Sequence, residues 1–273
     1  MKWVAENQLA WGNAAEEGSI RIWDQETDQV QVTEETKSSI WSVSWSKDAS
    51  QMLTGELKRE EDGSKNEDNL KIWKKTEGNW RVKKSDYFPG NINYADWNAT
   101  EDKICVIGNG VLIRIYNPEN LAVNRELRDE LIQCGAWHPK SNVIACDKKN
   151  GKLIILDGDS LEEMKTFEAH FDHVEELRWS RDGNWLATGG VDGRVKIWRT
   201  ESWSLYRTIL AHEGAVTGLA WHPDSESLVS VGSDGMVNIW SLESRESKSH
   251  RRSTDKNTRI RPILLCSIGT ADV

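Results

Sequence analysis

His170-Phe171-Asp172-His173 sets two imidazoles and a carboxylate within four residues, donor types that bind zinc or relay protons. In isolation the cluster looks metal-like, and His170 with Asp192 looks like a catalytic pair. Nothing else in the chain completes either chemistry. Cys105, Cys134, Cys146 and Cys266 are scattered, with no Cys-x-x-Cys pair and no histidine at zinc spacing. Gly189-Gly190-Val191-Asp192-Gly193 is glycine-rich without the spacing of a phosphate-cradling loop, and neither Gly-x-Ser-x-Gly nor His-Glu-x-x-His occurs. Trp137-His138-Pro139 and Trp221-His222-Pro223 are two copies of one element, which assigns their histidines to a turn. The expectation is therefore no catalytic residue, no metal ligand and no cofactor.

These residues sit inside a repeat, and the repeat accounts for most of them. Six short segments follow one pattern: Ile20-Arg21-Ile22-Trp23, Leu70-Lys71-Ile72-Trp73, Ile113-Arg114-Ile115-Tyr116, Leu153-Ile154-Ile155-Leu156, Val195-Lys196-Ile197-Trp198 and Val237-Asn238-Ile239-Trp240. Their last residues are 50, 43, 40, 42 and 42 positions apart. A second ladder, Trp45, Trp97, Trp137, Trp179 and Trp221, follows each preceding signature by 21 to 24 residues. Upstream of each stands a β-branched residue: Ile40, Ile92, Ile132, Val174 or Val216. Periodic placement makes these aromatics core residues rather than a sugar cleft or an aromatic cage. Each unit of about 40 residues is one supersecondary module whose faces its neighbours must bury.

The stretch 170–209 shows the grammar. A strand ends at Trp179, a turn at Arg181-Asp182-Gly183 leads to a second strand, and Asp192-Gly193 makes a tight hairpin into a third ending at Trp198. A fourth strand runs to about Ile209. Asp-Gly between apolar strands is a hairpin signal because the turn needs φ > 0, and Asn150-Gly151 repeats it.

Bulk properties set limits. The 273 residues are 37% hydrophobic, enough for a sizeable core, and no apolar run approaches the ~20 residues of a membrane helix. Scattered cysteines fit a reducing, cytoplasmic setting. The net charge is −9; residues 243–273 hold seven Lys and Arg against four Asp and Glu, so the rest carries −12. An acidic body argues against nucleic acid as the main partner.

From about residue 3 to 242 the chain resembles the WD-repeat family of β-propellers, which have four antiparallel strands per blade. The resemblance implies an all-β propeller of about six blades, the first and last incomplete, and possible membership of a seven-bladed whole. It also implies a structural side-chain network joining a His, a Ser or Thr, an Asp and a Trp. That set is complete twice: His170, Thr188, Asp192, Trp198, and His212, Ser230, Asp234, Trp240. The other units lack the opening His; Cys146 takes the Ser/Thr place and Leu156 the aromatic place in the fourth.

By the same resemblance, the function is a non-enzymatic scaffold that holds other proteins, as a peptide or helix segment, on the rim of its channel within a larger complex. The rim residues carried over by position are Trp41, Asn93, Gln133, Glu175 and Thr217 on the first strands, with Glu16, Lys149, Val191 and Ser233 before the hairpin turns. The acidic body points to a basic segment as the guest. Trp41 is the leading aromatic anchor. Two rival readings stand beside it. One is an enzyme with its active site in the channel mouth, limited to Glu16, Glu17, Glu67 and Asp68 as carboxylates; the other is association of the basic 245–261 stretch with nucleic acid or an anionic surface. The domain expectation is a propeller over 1–242 and a basic, disordered tail over 243–273, or 260–268 as a closing outer strand. A polar insertion at 56–69 lengthens the second unit's hairpin.

Overall fold

Apolar residues spaced two apart, as in Val195-Lys196-Ile197, bury one face of an extended chain, and Gly or Asn-Gly between such runs turns it back. The computed structural model describes residues 2–5, 8–12, 19–33, 39–57, 68–108, 112–129, 132–148, 150–242 and 248–249, with backbone alone at 2–5, 8–10 and 248–249. Its described elements are strands, in six four-stranded antiparallel sheets of the β-propeller class. Among the described residues no helix is long and apolar enough to cross a membrane.

Sheet one holds β1 (Lys2–Ala5), β2 (Gln8–Gly12), β3 (Ile20–Asp24) and β4 (Gln29–Val32). Sheet two holds β5 (Ile40–Trp45), β6 (Gln51–Glu56), β7 (Leu70–Thr76) and β8 (Asn79–Asp86). Sheet three holds β9 (Ile92–Trp97), β10 (Ile104–Gly108), β11 (Leu112–Tyr116) and β12 (Val123–Arg128). Sheet four holds β13 (Ile132–Trp137), β14 (Val143–Lys148), β15 (Lys152–Asp157) and β16 (Glu163–Glu168). Sheet five holds β17 (Val174–Trp179), β18 (Trp185–Gly190), β19 (Arg194–Arg199) and β20 (Ser204–Leu210). Sheet six holds β21 (Val216–Trp221), β22 (Ser227–Gly232), β23 (Val237–Ser241) and β24 (Lys248–Ser249). In each sheet the spatial order follows the chain order. The hairpin glycines Gly151 and Gly193 have φ of 78° and 72°, the left-handed conformation their turns require.

The end sheets have four strands each, which corrects the expectation that both would be incomplete; their outermost strands are short, with 4 residues in β1 and 2 in β24. β24 lies within the stretch read as a basic tail and supplies the fourth strand of sheet six, pairing Lys248 with Ile239 and Ser249 with Asn238. Residues 260–268 lie outside the described residues.

The chain divides into two compact units, residues 1–137 with 142–144 and 156–163, and residues 138–141 and 145–155 with 164 onward. Within the first unit, Ile20 and Ile22 of sheet one pack with Ile40, Val43 and Trp45 of sheet two, and Leu70 and Ile72 of sheet two with Ile92 and Ala95 of sheet three. Within the second, Val195 and Ile197 of sheet five pack with Val216 and Leu219 of sheet six. In these three pairs the third-strand aliphatics of one sheet meet the first strand of the next. Each such side chain, fully buried, contributes about 1.5–3 kcal/mol. Of the second aromatic ladder, Trp45, Trp97 and Trp137 are buried, while Trp179 and Trp221 are half-buried.

Candidate partner-binding site

The first-strand residues singled out by the repeat share one backbone feature. On β5, Ile40 pairs with Glu56 and Ser42 with Gly55, which leaves Trp41 in a β-bulge without a cross-strand partner. On β9, Asn93 falls between the pairs Ile92–Gly108 and Tyr94–Ile107. In the second unit, Glu175 is skipped between Val174–Gly190 and Glu176–Gly189, and Thr217 between Val216–Gly232 and Gly218–Val231. A bulge frees one residue from the ladder and re-aims its side chain.

What fixes the bulge is the β-branched residue just before it. A Cβ on Gly55 would come 2.2 Å from Ile92 Cγ2, and one on Gly189 would come 2.5 Å from Val216 Cγ1. The bare glycine at the end of one sheet's second strand is thus a socket for the next sheet's first anchor. Sequence reasoning picked out the anchors and missed the sockets, although Gly55 and Gly189 stand at matching repeat positions.

The candidate side chains differ in what they do. Trp41 is 39% exposed. Asn93 Nδ2 donates to the Gln133 carbonyl at 3.1 Å, joining two of the first unit's candidates. Thr217 Oγ1 donates to the Val231 carbonyl at 3.4 Å, Val191 is half-buried and Ser233 is exposed. Glu16 and Lys149 lie outside the described residues, as does most of the insertion (58–67).

The loop ahead of Glu175 holds more than repeat position suggested. His173 Nδ1 lies 3.0 Å from Asp172 Oδ1 and Nε2 lies 3.0 Å from Glu175 Oε1. Partial burial works against the charged imidazole, but the hydrogen bonds and charges of Asp172 and Glu175 outweigh it and raise the His173 pKa. Next to this ion cluster Phe171 is 97% exposed. The sequence set His173 and Asp172 aside as an exposed pair; the structure adds Glu175 as a third member and Phe171 as a bare aromatic. Among the described residues no group of His, Cys, Asp and Glu is arranged to hold a metal ion.

The two polar networks support these loops from beneath. His170 Nδ1 is 3.0 Å from Asp192 Oδ1, His170 Nε2 is 2.9 Å from Thr188 Oγ1, and Trp198 Nε1 donates to the same Thr188 oxygen at 3.1 Å. In sheet six, His212 Nδ1 is 3.1 Å from Asp234 Oδ1, His212 Nε2 is 2.8 Å from Ser230 Oγ, and Trp240 Nε1 donates to Ser230 Oγ at 2.9 Å. Burial lowers the His170 pKa despite Asp192 beside it, so the ring is neutral and structural near pH 7. Hydrogen bonds from the Met236 and Glu213 backbone and the His212 ring hold the Asp234 carboxyl below the usual carboxylate range, against the effect of its burial.

Sheet three takes another route to the same place. Phe88 precedes Ile92 by four residues, as His212 precedes Val216, and is fully buried. A Cβ on Gly108 would lie 2.1 Å from its ring, just as one on Gly232 would lie 2.4 Å from that of His212. Val106 and Tyr116 fill the Ser/Thr and Trp positions, in one apolar cluster with Phe88. Sheet two keeps one polar link, Trp73 Nε1 donating to Thr54 Oγ1 at 2.9 Å.

Comparison with known proteins agrees with this geometry. The family model "WD domain, G-beta repeat" matches residues 161–199 and 203–241, the stretches that carry the two complete networks. No curated protein matches the chain. Among solved structures, the computationally designed Ika8 protein is similar with a TM-score of 0.67 at 20% identity, over 87% of this chain and 69% of that one. A chain of a mitotic checkpoint complex is similar with a TM-score of 0.62 at 22% identity, over 75% of this chain and 63% of that one. With six four-stranded sheets the chain is of the β-propeller class, and two adjacent stretches of it are similar to the WD-repeat model.

Proposed function

We propose that this protein is a non-enzymatic scaffold that grips short, basic segments of partner proteins on its bulged first-strand residues and the loops that lead to them. WD-repeat propellers are in general protein-interaction scaffolds, which sets the class. The observation that carries the finer reading is the pairing of skipped residues with exposed aromatics. Trp41 is held in a bulge and presented to solvent, and Phe171 stands bare beside Asp172 and Glu175. An aromatic anchor in a carboxylate-bearing surround suits a Lys- or Arg-bearing peptide, and the charge of −9 favours its approach. Cys105 and Cys146 are buried, and burial pushes the Cys105 thiol up, so they are inert structural thiols suited to a reducing, cytoplasmic setting.

The test is affinity capture with the intact chain, Trp41→Ala, and Phe171→Ala/Glu175→Gln, each checked for unaltered circular dichroism. Loss of a basic-segment partner from a variant supports the reading at the position changed. Equal recovery of every partner from all three proteins would place binding elsewhere. Direct titration with a synthetic Lys/Arg peptide, tighter at low salt, gives the charge dependence separately.

A further inference from the structure

The two outer strands of sheet two, β7 and β8, lie wholly within the first unit and carry an unbalanced charge. Residues 70–84 hold six Lys and Arg against one Glu, and with −9 overall the rest of the chain carries −14. Cations on the outer strands of other sheets are matched. Arg114 and Arg128 share Glu126 in sheet three, and the Arg199 guanidinium lies 4.4 Å from the centre of the Tyr206 ring in sheet five. In sheet two Lys71 has Glu56 at 2.8 Å, while Lys83 Nζ donates to the neutral Gln51 Oε1 at 3.1 Å. Among the described residues Lys74, Lys75 and Lys84 have no ion-pair partner. The register adds to the imbalance: Lys74 pairs directly with Arg81, and Lys84 stands opposite Ile72, two residues along the same strand. Like charges directly opposite each other destabilise a sheet. Lysine on an edge strand keeps other strands away, which accounts for Lys83 and Lys84 but not for Lys74 and Lys75, since β7 is inside the sheet.

We propose that this hairpin docks an acidic, extended segment of a partner protein along β8, with Asp or Glu at alternate positions of the guest. β8 is the outer strand of its sheet and, at 8 residues, the longest of the described strands. Its outward N–H and C=O groups offer a pairing template about 26 Å long. The rows Lys74–Arg81 and Ile72–Lys84 are two residues apart on β7, about 7 Å, the distance between alternate side chains on one face of an extended guest. Val82, 42% exposed between Arg81 and Lys83, adds an apolar contact that a peptide side chain matches and a phosphate backbone does not. A long polyanion would also meet the −14 carried by the rest of the chain, whereas a short acidic segment stays within the patch. The surface is separate from the candidate rim. Trp41 lies at the other end of sheet two, beside the row Gly55–Leu70–Asp86.

The test is a fluorescence-anisotropy titration of the full chain with a short labelled peptide bearing Asp and Glu at alternate positions. The wild type is expected to bind it, more weakly as salt rises, and Lys74→Glu/Lys84→Gln to bind at least about tenfold more weakly. Trp41→Ala should leave this affinity unchanged, which separates the surface from the rim. Lys74→Glu alone sets an opposite charge across from Arg81, so it should weaken binding while its urea midpoint holds or rises. That combination separates a lost contact from a lost fold. No binding by the wild type at low salt, or equal affinity in Lys74→Glu/Lys84→Gln, would overturn the proposal. So would tighter binding of a single-stranded DNA oligonucleotide of equal charge that the same variant weakens, because nucleic acid would then be the guest.

Discussion

Sheets three and six place a flat ring in the same slot and surround it with opposite chemistry. In sheet six the ring is His212, and each of its nitrogens meets an oxygen, from Ser230 and from Asp234. In sheet three the ring is Phe88, Val106 stands where the hydroxyl would be, and Tyr116 replaces the indole. Both rings press on a glycine that has no room for a Cβ, Gly232 and Gly108. The slot therefore selects a shape, and the polarity must be consistent within it. A buried His without its acceptors costs its desolvation, and a Phe among hydroxyls would orphan them. Among the described residues sheet two keeps the Trp73–Thr54 link of this network.

Removing the ring should do the most damage. Phe88→Ala deletes a fully buried aromatic and leaves a cavity in the cluster with Leu70, Ile92 and Val106. The expected loss is about 3–5 kcal/mol, read from the urea midpoint. The polar slot should respond less and in proportion to the groups left unpaired. Thr188→Val strips the hydroxyl from both His170 Nε2 and Trp198 Nε1, whereas Thr54→Val strips it from Trp73 Nε1 alone. Each buried donor or acceptor left bare costs about 1–3 kcal/mol, so Thr188→Val should lose roughly twice what Thr54→Val loses. Equal losses would mean that the network in sheet five adds nothing beyond one hydrogen bond.

The comparison also shows where the sequence was readable. The aromatic ladders, the Asn150-Gly151 and Asp192-Gly193 hairpins and both complete polar sets could be seen because repetition fixes them and their chemistry is distinctive. Phe88 was not legible as the occupant of a histidine slot, since a buried Phe looks like any core residue until its ring is found against Gly108. The candidate positions were placed by repeat register, but the bulge that presents them is a pairing event between strands. It depends on sockets such as Gly55 and Gly189 that read as ordinary strand ends. Val237 and Ile239 teach the converse. Their local pattern equals that of Val195 and Ile197, yet they are about half exposed where Val195 and Ile197 are buried, so the pattern alone does not report burial.

The smallest effects come from two histidines three residues apart, and they should run in opposite directions. Burial lowers the His170 pKa in the folded protein, so the unfolded chain takes up its proton first as pH falls. Its contribution to stability is full above the unfolded value of about 6.5 and is lost as pH falls through the lower folded value. His173 has the reverse sign: with Asp172 and Glu175 raising its pKa, its contribution is full below about 6.5 and is lost as pH rises through the folded value. Urea midpoints across about pH 5 to 8 should fall on the acid side in the wild type and less so in His170→Gln at equal reference stability. For His173 the sharper observable is its own ring, titrated by NMR. Glu175→Gln should lower that pKa while leaving the fold intact, because it removes one of the two carboxylates on the ring and Asp172 remains. A titration that does not move would show that the His173–Glu175 contact carries no charge coupling, and the acidic surround offered to a basic guest would then reduce to Asp172.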